Sequence, residues 1–292
     1  MSLSAIKPRQ LEVFVTLADL GQVTLTASAL SLTQPAVSMA LAELERQLGS
    51  LFEREKGRLR LNPHGRECLP KAREILARLA DLAAPDVGGL LNGELRIGAS
   101  NSVGNYMVGE LLGTFVKRQP QVTLQVQVGN TSLITASLLA HEIDLGCVEG
   151  PVHHPQLETL PWREDELTIC AAPEHPLARK TRLRAADFAG AKWILRESGS
   201  ATRSLSEKVL MALPQGQVLL ELGQIEGIKQ AVMAGLGIAC LPKAATPDAV
   251  ATGRLCILPT PFLPLSRRLS LILPRSAWRG RLVDAFVDSL FV

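Results

Sequence analysis

The segment LTQPAVSMALAELERQLG, Leu32–Gly49, begins with side chains that read hydrogen-bond patterns without carrying charge. The Gln34 amide can bond adenine bidentately, the Ser38 hydroxyl donates or accepts, and the small Pro35 ring suits a thymine methyl. Val37, Leu41, Leu44 and Leu48, spaced 4, 3 and 4, predict the buried stripe of a helix. Gln34, Pro35, Ser38 and Met39 then face outward. Thr33 is the expected N-cap, and Pro35 fits a first turn because its missing N–H has no helical partner there. Capping explains the proline but not the uncharged outer face, which has the chemistry of a major-groove reader.

Charge for such a reader comes from the next stretch. Between Arg54 and Arg73 seven Lys or Arg stand against Glu55 and Glu67. The alternation Arg58, Leu59, Arg60, Leu61 predicts a short strand, with Gly57 as a turn residue and Asn62-Pro63 ending it. A two-stranded wing beside the helix places Arg54, Lys56, Arg58 and Arg60 on phosphates. Most charge runs are solvated faces, but this one adjoins a helix pair. Leu11, Phe14 and Leu17 mark a helix over Pro8–Asp19 stopped by Gly21, a second runs from about Thr24 to Ser31, and the turn at Leu32-Thr33 completes a helix-turn-helix pattern.

Four junctions further along are rich in small polar residues: Ser100-Asn101-Ser102, Gly129-Asn130-Thr131, Ser198 to Thr202, and Gln224 to Glu226. Each lies where a predicted strand meets a predicted helix, the usual place for a ligand in an open α/β sheet. Hydroxyls and free helix N–H groups favour an anion or carboxylate. Taken singly, each junction is also an ordinary N-cap.

The elements around them alternate. GELRIGAS, VTLQVQVGN, DLGCVEG, ELTICAAP, the stretch around KWILRESG, and IACLP read as strands; YMVGELLGTFVKRQP, Ser132 to His141 and GIKQAVMAGLG read as helices. That order implies parallel α/β sheets, and about 200 residues favour two of them. Upstream, from about Asn62 to Ala84, Leu69, Ala72, Leu76, Leu79 and Ala83 recur at 3, 4, 3 and 4, widened by Ile75 and Leu82. The pattern fits a dimerising helix and a helix packed on its own domain equally well. Pro85, Asp86, Gly88 and Gly89 predict a hinge.

Composition bounds the rest. The 292 residues, 47% hydrophobic with net charge +3, predict a cored protein of two or three domains whose basicity is local rather than global. No apolar run reaches the roughly 18 residues of a membrane span and no leader pattern is recognisable, so a cytoplasmic protein without membrane contact is expected. The five cysteines lack C-x-x-C spacing and are expected to be buried, reduced thiols. His153-His154 has no partner at metal-ligand spacing, and GASNSVG has Ser102 where a nucleophile elbow needs its second glycine. Neither a metal nor a cofactor nor an enzymatic activity is expected.

The pattern AxxLxxTQPAVSxxxxxLExxLGxxLFER over Ala27–Arg54, followed by RLN and Gly65, resembles the winged helix-turn-helix of LysR-type transcriptional regulators. In that family the positions of Gln34, Pro35 and Ser38 enter the major groove and the basic wing grips the flanking backbone. Met39 stands where the family usually has Arg, and Asn62 where it usually has Thr. The resemblance favours an antiparallel dimerising helix at the connector and implies a two-lobed, periplasmic-binding-protein-like effector domain.

On that reading the chain is an α+β multidomain protein: a winged helix-turn-helix over 1–63, a linker helix and hinge over 64–92, and an effector domain over 93–292. Lobe one takes 93–161 plus 267–292, and lobe two 162–266. The polar junctions then converge on one cleft. Ser100, Asn101, Ser102, Asn130, Thr131, Ser200, Thr202 and Glu226 become effector-binding candidates, with Glu149 at the end of its strand, while Ala201 replaces a common glycine. ASNSVGNY is similar to the branch that regulates sulphur assimilation and carbon fixation, which implies a small inorganic or phosphorylated anion. The implied partners are double-stranded DNA, that effector, and a second copy in a homodimer or homotetramer. The competing expectation is a solute-binding protein or enzyme on the same lobes.

Overall fold

The computed structural model describes residues 6–55, 58–83, 90–275 and 279–291, and divides the chain into two compact units, 1–89 and 90–292. In the first, α1 (Pro8–Leu20), α2 (Val23–Ala29) and α3 (Gln34–Leu48) precede a hairpin of β1 (Phe52–Glu55) and β2 (Arg58–Leu61), followed by α4 (Pro63–Ala83). Gly21 ends α1 at φ +66°, a left-handed cap that costs glycine no steric penalty. Leu11, Phe14, Leu17, Val37, Leu41 and Leu44 meet in one core, so the expected stripe of α3 is the buried one. Leu48, assigned to the same stripe, is only partly buried at its edge.

The helix α4 has two characters. Leu69 and Ala72 enter the core, with Leu76 partly buried against it, while Ile75, Leu79 and Leu82 are exposed, Leu82 at 85%. The residues expected to form the hinge lie outside the described residues.

The second unit runs β3 (Gly93–Ser100), α5 (Asn101–Tyr106), α6 (Val108–Arg118), β4 (Val122–Gly129), α7 (Thr131–Leu139), β5 (Leu145–Glu149) and β6 (Leu157–Ala171). It continues through β7 (Lys192–Arg196), α8 (Ala201–Ala212), β8 (Gln217–Leu222), α9 (Ile225–Met233), β9 (Ala239–Pro242), α10 (Pro247–Ala251), β10 (Cys256–Leu258), β11 (Ser266–Pro274) and α11 (Arg281–Leu290). The order β4-β3-β5-β11-β6 forms lobe one, with β3 parallel to β4 and β5. Lobe two hangs β9 and β10 on the far end of β6, and β7 pairs with β8 in parallel.

The expected parallel pairing holds for β3 with β4 and β5 and for β7 with β8, but β6 and β11 depart from it. The strand β6 is antiparallel to β11 over its whole lobe-one half and continues without a break into lobe two. Its first half was not legible as a strand, because the polar run Arg163 to Glu166, with Glu158 before it, breaks any simple alternation of apolar and polar residues. Two cores fill lobe one on either face of the sheet, one with Phe115 and Phe286, the other with Ile134 and Ile272. Trp193 and Phe188 stack in lobe two.

Cys147, Cys170 and Cys240 are buried, as expected, but Cys68 and Cys256 are only partly so. Burial pushes the Cys170 thiol up to about 11 and that of Cys240 to about 12. Since the thiolate is the nucleophile, both are inert at neutral pH. In a thiol-reagent time course on native protein, Cys68 and Cys256 should be modified first, and the other three only after unfolding. Rapid modification of Cys170 or Cys240 in the folded protein would contradict this packing.

Candidate DNA-reading surface and inter-lobe cleft

The start of α3 presents Gln34, Pro35, Ser38 and Met39 to solvent, Met39 at 72% exposure. Thr33 caps the helix by accepting from the Ala36 N–H at 3.4 Å. The hairpin β1–β2 forms beside it in register Arg54↔Leu59, with the side chains of Arg54 and Arg60 exposed. Lys56 and the side chain of Arg58 lie outside the described residues. Asn62 is occupied structurally: its amide donates to the Ser50 carbonyl at 2.8 Å and its oxygen accepts from the Gly65 N–H at 2.7 Å. It therefore fastens the wing to α4 rather than projecting a free polar group.

Between the lobes the structure brings Ser102, Thr202 and Glu149 around a residue that sequence reasoning missed. Arg267, on β11, is 8% exposed. Its guanidinium donates to Ser102 Oγ of lobe one and Thr202 Oγ1 of lobe two, each at 2.9 Å. Asp165 of β6 neutralises it at 2.6 Å, and Glu149, at the end of β5, stands 3.7 Å away. Asp165 and Arg267 are direct partners in the β6–β11 register, so the long crossing strands place the pair.

Glu149 is itself held in place. It accepts from the Ser102 N–H at 3.2 Å and from the Thr131 hydroxyl at 3.4 Å. Ser100, at the N-cap position of α5, makes no side-chain cap, and its hydroxyl, fully shielded from solvent, has no partner among the described residues. Ser200 and Asn101 are buried close by in sequence, with no side-chain hydrogen bond described for either.

Asn130 and Glu226 tie the lobes elsewhere. The Asn130 oxygen caps α7 at the Leu133 N–H, and its amide donates to Glu197 of lobe two at 3.1 Å. Burial alone would raise the Glu197 carboxyl, but the bonds from Arg196 and Asn130 outweigh it and hold the group below its ordinary value. Glu226, expected in the effector set, accepts from the Tyr106 hydroxyl at 2.5 Å and the Lys229 ammonium at 2.7 Å. It bridges α5 to α9.

Close approach of the lobes sets the backbone. A Cβ on Gly199 would stand 2.9 Å from Ser132 Oγ, and one on Gly150 3.3 Å from the Ala201 methyl. Both glycines have positive φ, +84° and +76°, so a side chain there would be strained as well as crowded.

Comparison with known proteins covers both units. The family described as "Bacterial regulatory helix-turn-helix protein, lysR family" matches residues 8–66, and "LysR substrate binding domain" matches 88–291. The chain is 38% identical over 285 residues to the Escherichia coli protein described as an uncharacterized HTH-type transcriptional regulator YeiE, covering 96% of this chain and 95% of that one. It is 33% identical to the HTH-type transcriptional regulator CbbR of Sinorhizobium medicae, covering 89% and 84%. Among solved structures, a full-length OxyR variant from Pseudomonas aeruginosa shares the fold with TM-score 0.80 at 24% identity, covering 98% of this chain and 95% of that one. The regulatory domain of Synechocystis CcmR in complex with 2-PG matches at 28% identity and TM-score 0.63, covering 68% and 96%.

Removing Arg267 would leave two buried carboxylates without their cation. Arg267→Ala should therefore lower the stability of the second unit by about 3–5 kcal/mol in urea unfolding. A change within about 0.5 kcal/mol, the size of an ordinary surface substitution, would show that the cluster is not a structural keystone.

Proposed function

The chain belongs to the LysR family of transcriptional regulators, and from that premise we propose that it is a DNA-binding switch read out by the start of α3 and set by a small anion between the lobes. The exposed, uncharged first turn beside a basic hairpin carries the DNA reading. Gln34, Pro35, Ser38 and Met39 meet base edges, while Arg54, Lys56, Arg58 and Arg60 hold phosphates. Two such readers, joined through the exposed Ile75, Leu79 and Leu82 of α4, would match a roughly palindromic operator.

The anionic character of the effector rests on the hydroxyls and free helix N–H groups at the strand ends. Arg267, paired with Asp165 at 2.6 Å and with Glu149 3.7 Å off, positions two of those hydroxyls rather than offering spare charge. Ser102 and Thr202 already bond the guanidinium, and the unpartnered Ser100 hydroxyl offers a further contact. Asn101, Asn130, Thr131 and Ser200 complete the proposed wall. The 2-PG held by the CcmR regulatory domain is a ligand of the same chemical class. By linkage, such an effector changes DNA binding only as far as it prefers one arrangement of the assembly over another.

Two outcomes test the reading. Gln34→Ala should blunt discrimination among operator variants by about 1–3 kcal/mol, whereas Arg54→Ala should weaken binding to all sequences alike and flatten its salt dependence. Binding-site selection at two salt concentrations separates them, and an unchanged sequence preference in Gln34→Ala would refute a base-reading α3. For the cleft, Thr202→Ala should keep operator affinity but bind sulfate or phosphate about tenfold more weakly in calorimetry, by the loss of one charge-assisted contact. Equal anion affinity would remove Thr202 from the site.

A further inference from the structure

Alternate residues of β11 serve opposite faces of lobe one. Arg267 turns to the cleft, whereas Arg268 and Ser270 line a groove of about 640 Å³ on the other face, beneath the loop that follows β5. Its volume lies within the roughly 300–1,000 Å³ of small-molecule sites.

The groove has a consistent chemistry. Pro151, Pro155, Pro161 and Leu157 give it apolar walls, and among the described residues its charged lining is Arg268 and Arg275, with no carboxylate. Two acids beside the groove are engaged: Glu164 meets Arg268 at 2.9 Å in an exposed pair, and Glu158 is bound to Arg279. Exposed pairs of this kind contribute little and exchange readily.

Arg275 has capacity to spare. Among the described residues its guanidinium makes one long bond, 3.4 Å to the Leu157 carbonyl, which leaves most of a planar donor fork unused. On the groove floor Ser270 is 4% exposed, and among the described residues its hydroxyl has no hydrogen-bond partner. The walls are pre-formed. Thr159 Oγ1 donates to the Val152 carbonyl at 3.2 Å, the Gly150 N–H to the Arg268 carbonyl at 3.0 Å, and the Arg275 backbone N–H to the Gln156 carbonyl at 2.7 Å.

We propose that this groove is a second ligand site, separate from the cleft, for a small organic carboxylate with an apolar body. The carboxylate takes the Arg275 fork, and the body lies against the prolines and Leu157. The groove and the cleft share strands: Arg268 follows Arg267 in β11, and Gly150 follows Glu149 at the end of β5. The site stands whether or not the cleft binds an anion.

Saturation-transfer NMR on the full-length protein with hexanoate tests it, using hexanamide as the uncharged analogue. Hexanoate should receive saturation in the wild type and in Ser102→Ala/Thr202→Val, and bind about tenfold more weakly to Arg275→Ala, as expected for the loss of a charge-assisted contact. Hexanamide should not. Loss of the signal in the cleft variant, equal binding of hexanamide, an unaltered affinity in Arg275→Ala, or no hexanoate signal up to about 10 mM, the weak limit for a specific contact, would overturn the proposal.

Discussion

A guanidinium buried between two lobes has to be neutralised and fully hydrogen-bonded, and Arg267 imposes that requirement on the whole second unit. Asp165 must lie directly across from it, which fixes the register of β6 against β11. Ser102 and Thr202 must arrive from opposite lobes, which fixes where β3 ends and where α8 begins. Glu149 completes the cluster and is itself oriented by the start of α5 and by Thr131. A displacement of either lobe therefore breaks a charged hydrogen bond. The long continuous strand β6 makes such a shared centre possible, because it carries Asp165 at the point where one lobe passes into the other.

The first unit is governed by a different economy. Its core needs Val37, Leu41 and Leu44 from α3, so the opposite face of that helix is released from packing. Most soluble proteins would place charges there. Here the exposed positions at the helix start are an amide, a ring, a hydroxyl and a thioether, while the cations sit on the hairpin. The exposed apolar residues of α4 are a comparable surplus: Ile75, Leu79 and Leu82 share one side of a helix whose other side is spent on the core.

Local pattern made much of this legible. Helical spacing, a threonine cap and a left-handed glycine are short-range signals, and α1, α3 and the hairpin follow from them. The polar strand ends were visible too, since Ser102, Asn130, Thr131 and Thr202 each sit at a junction. Arg267 was not, because its partners lie 102 and 165 residues away in sequence and nothing near it repeats. The polar first half of β6 gave no alternation to read. Glu226 and Asn62 show the converse limit: their positions were evident, but the competing claims of Tyr106, Lys229, Ser50 and Gly65 on their side chains are set by tertiary contact.

One guanidinium couples the two lobes, and the strength of that coupling is directly measurable. A double-mutant cycle in equilibrium unfolding, with Ser102→Ala and Thr202→Val alone and together, isolates it. If both hydroxyls act on the same charge, the two losses should be non-additive by at least about 0.5 kcal/mol. Additivity within about 0.3 kcal/mol would mean that the lobes hold their hydroxyls independently, and that Arg267 does not join them.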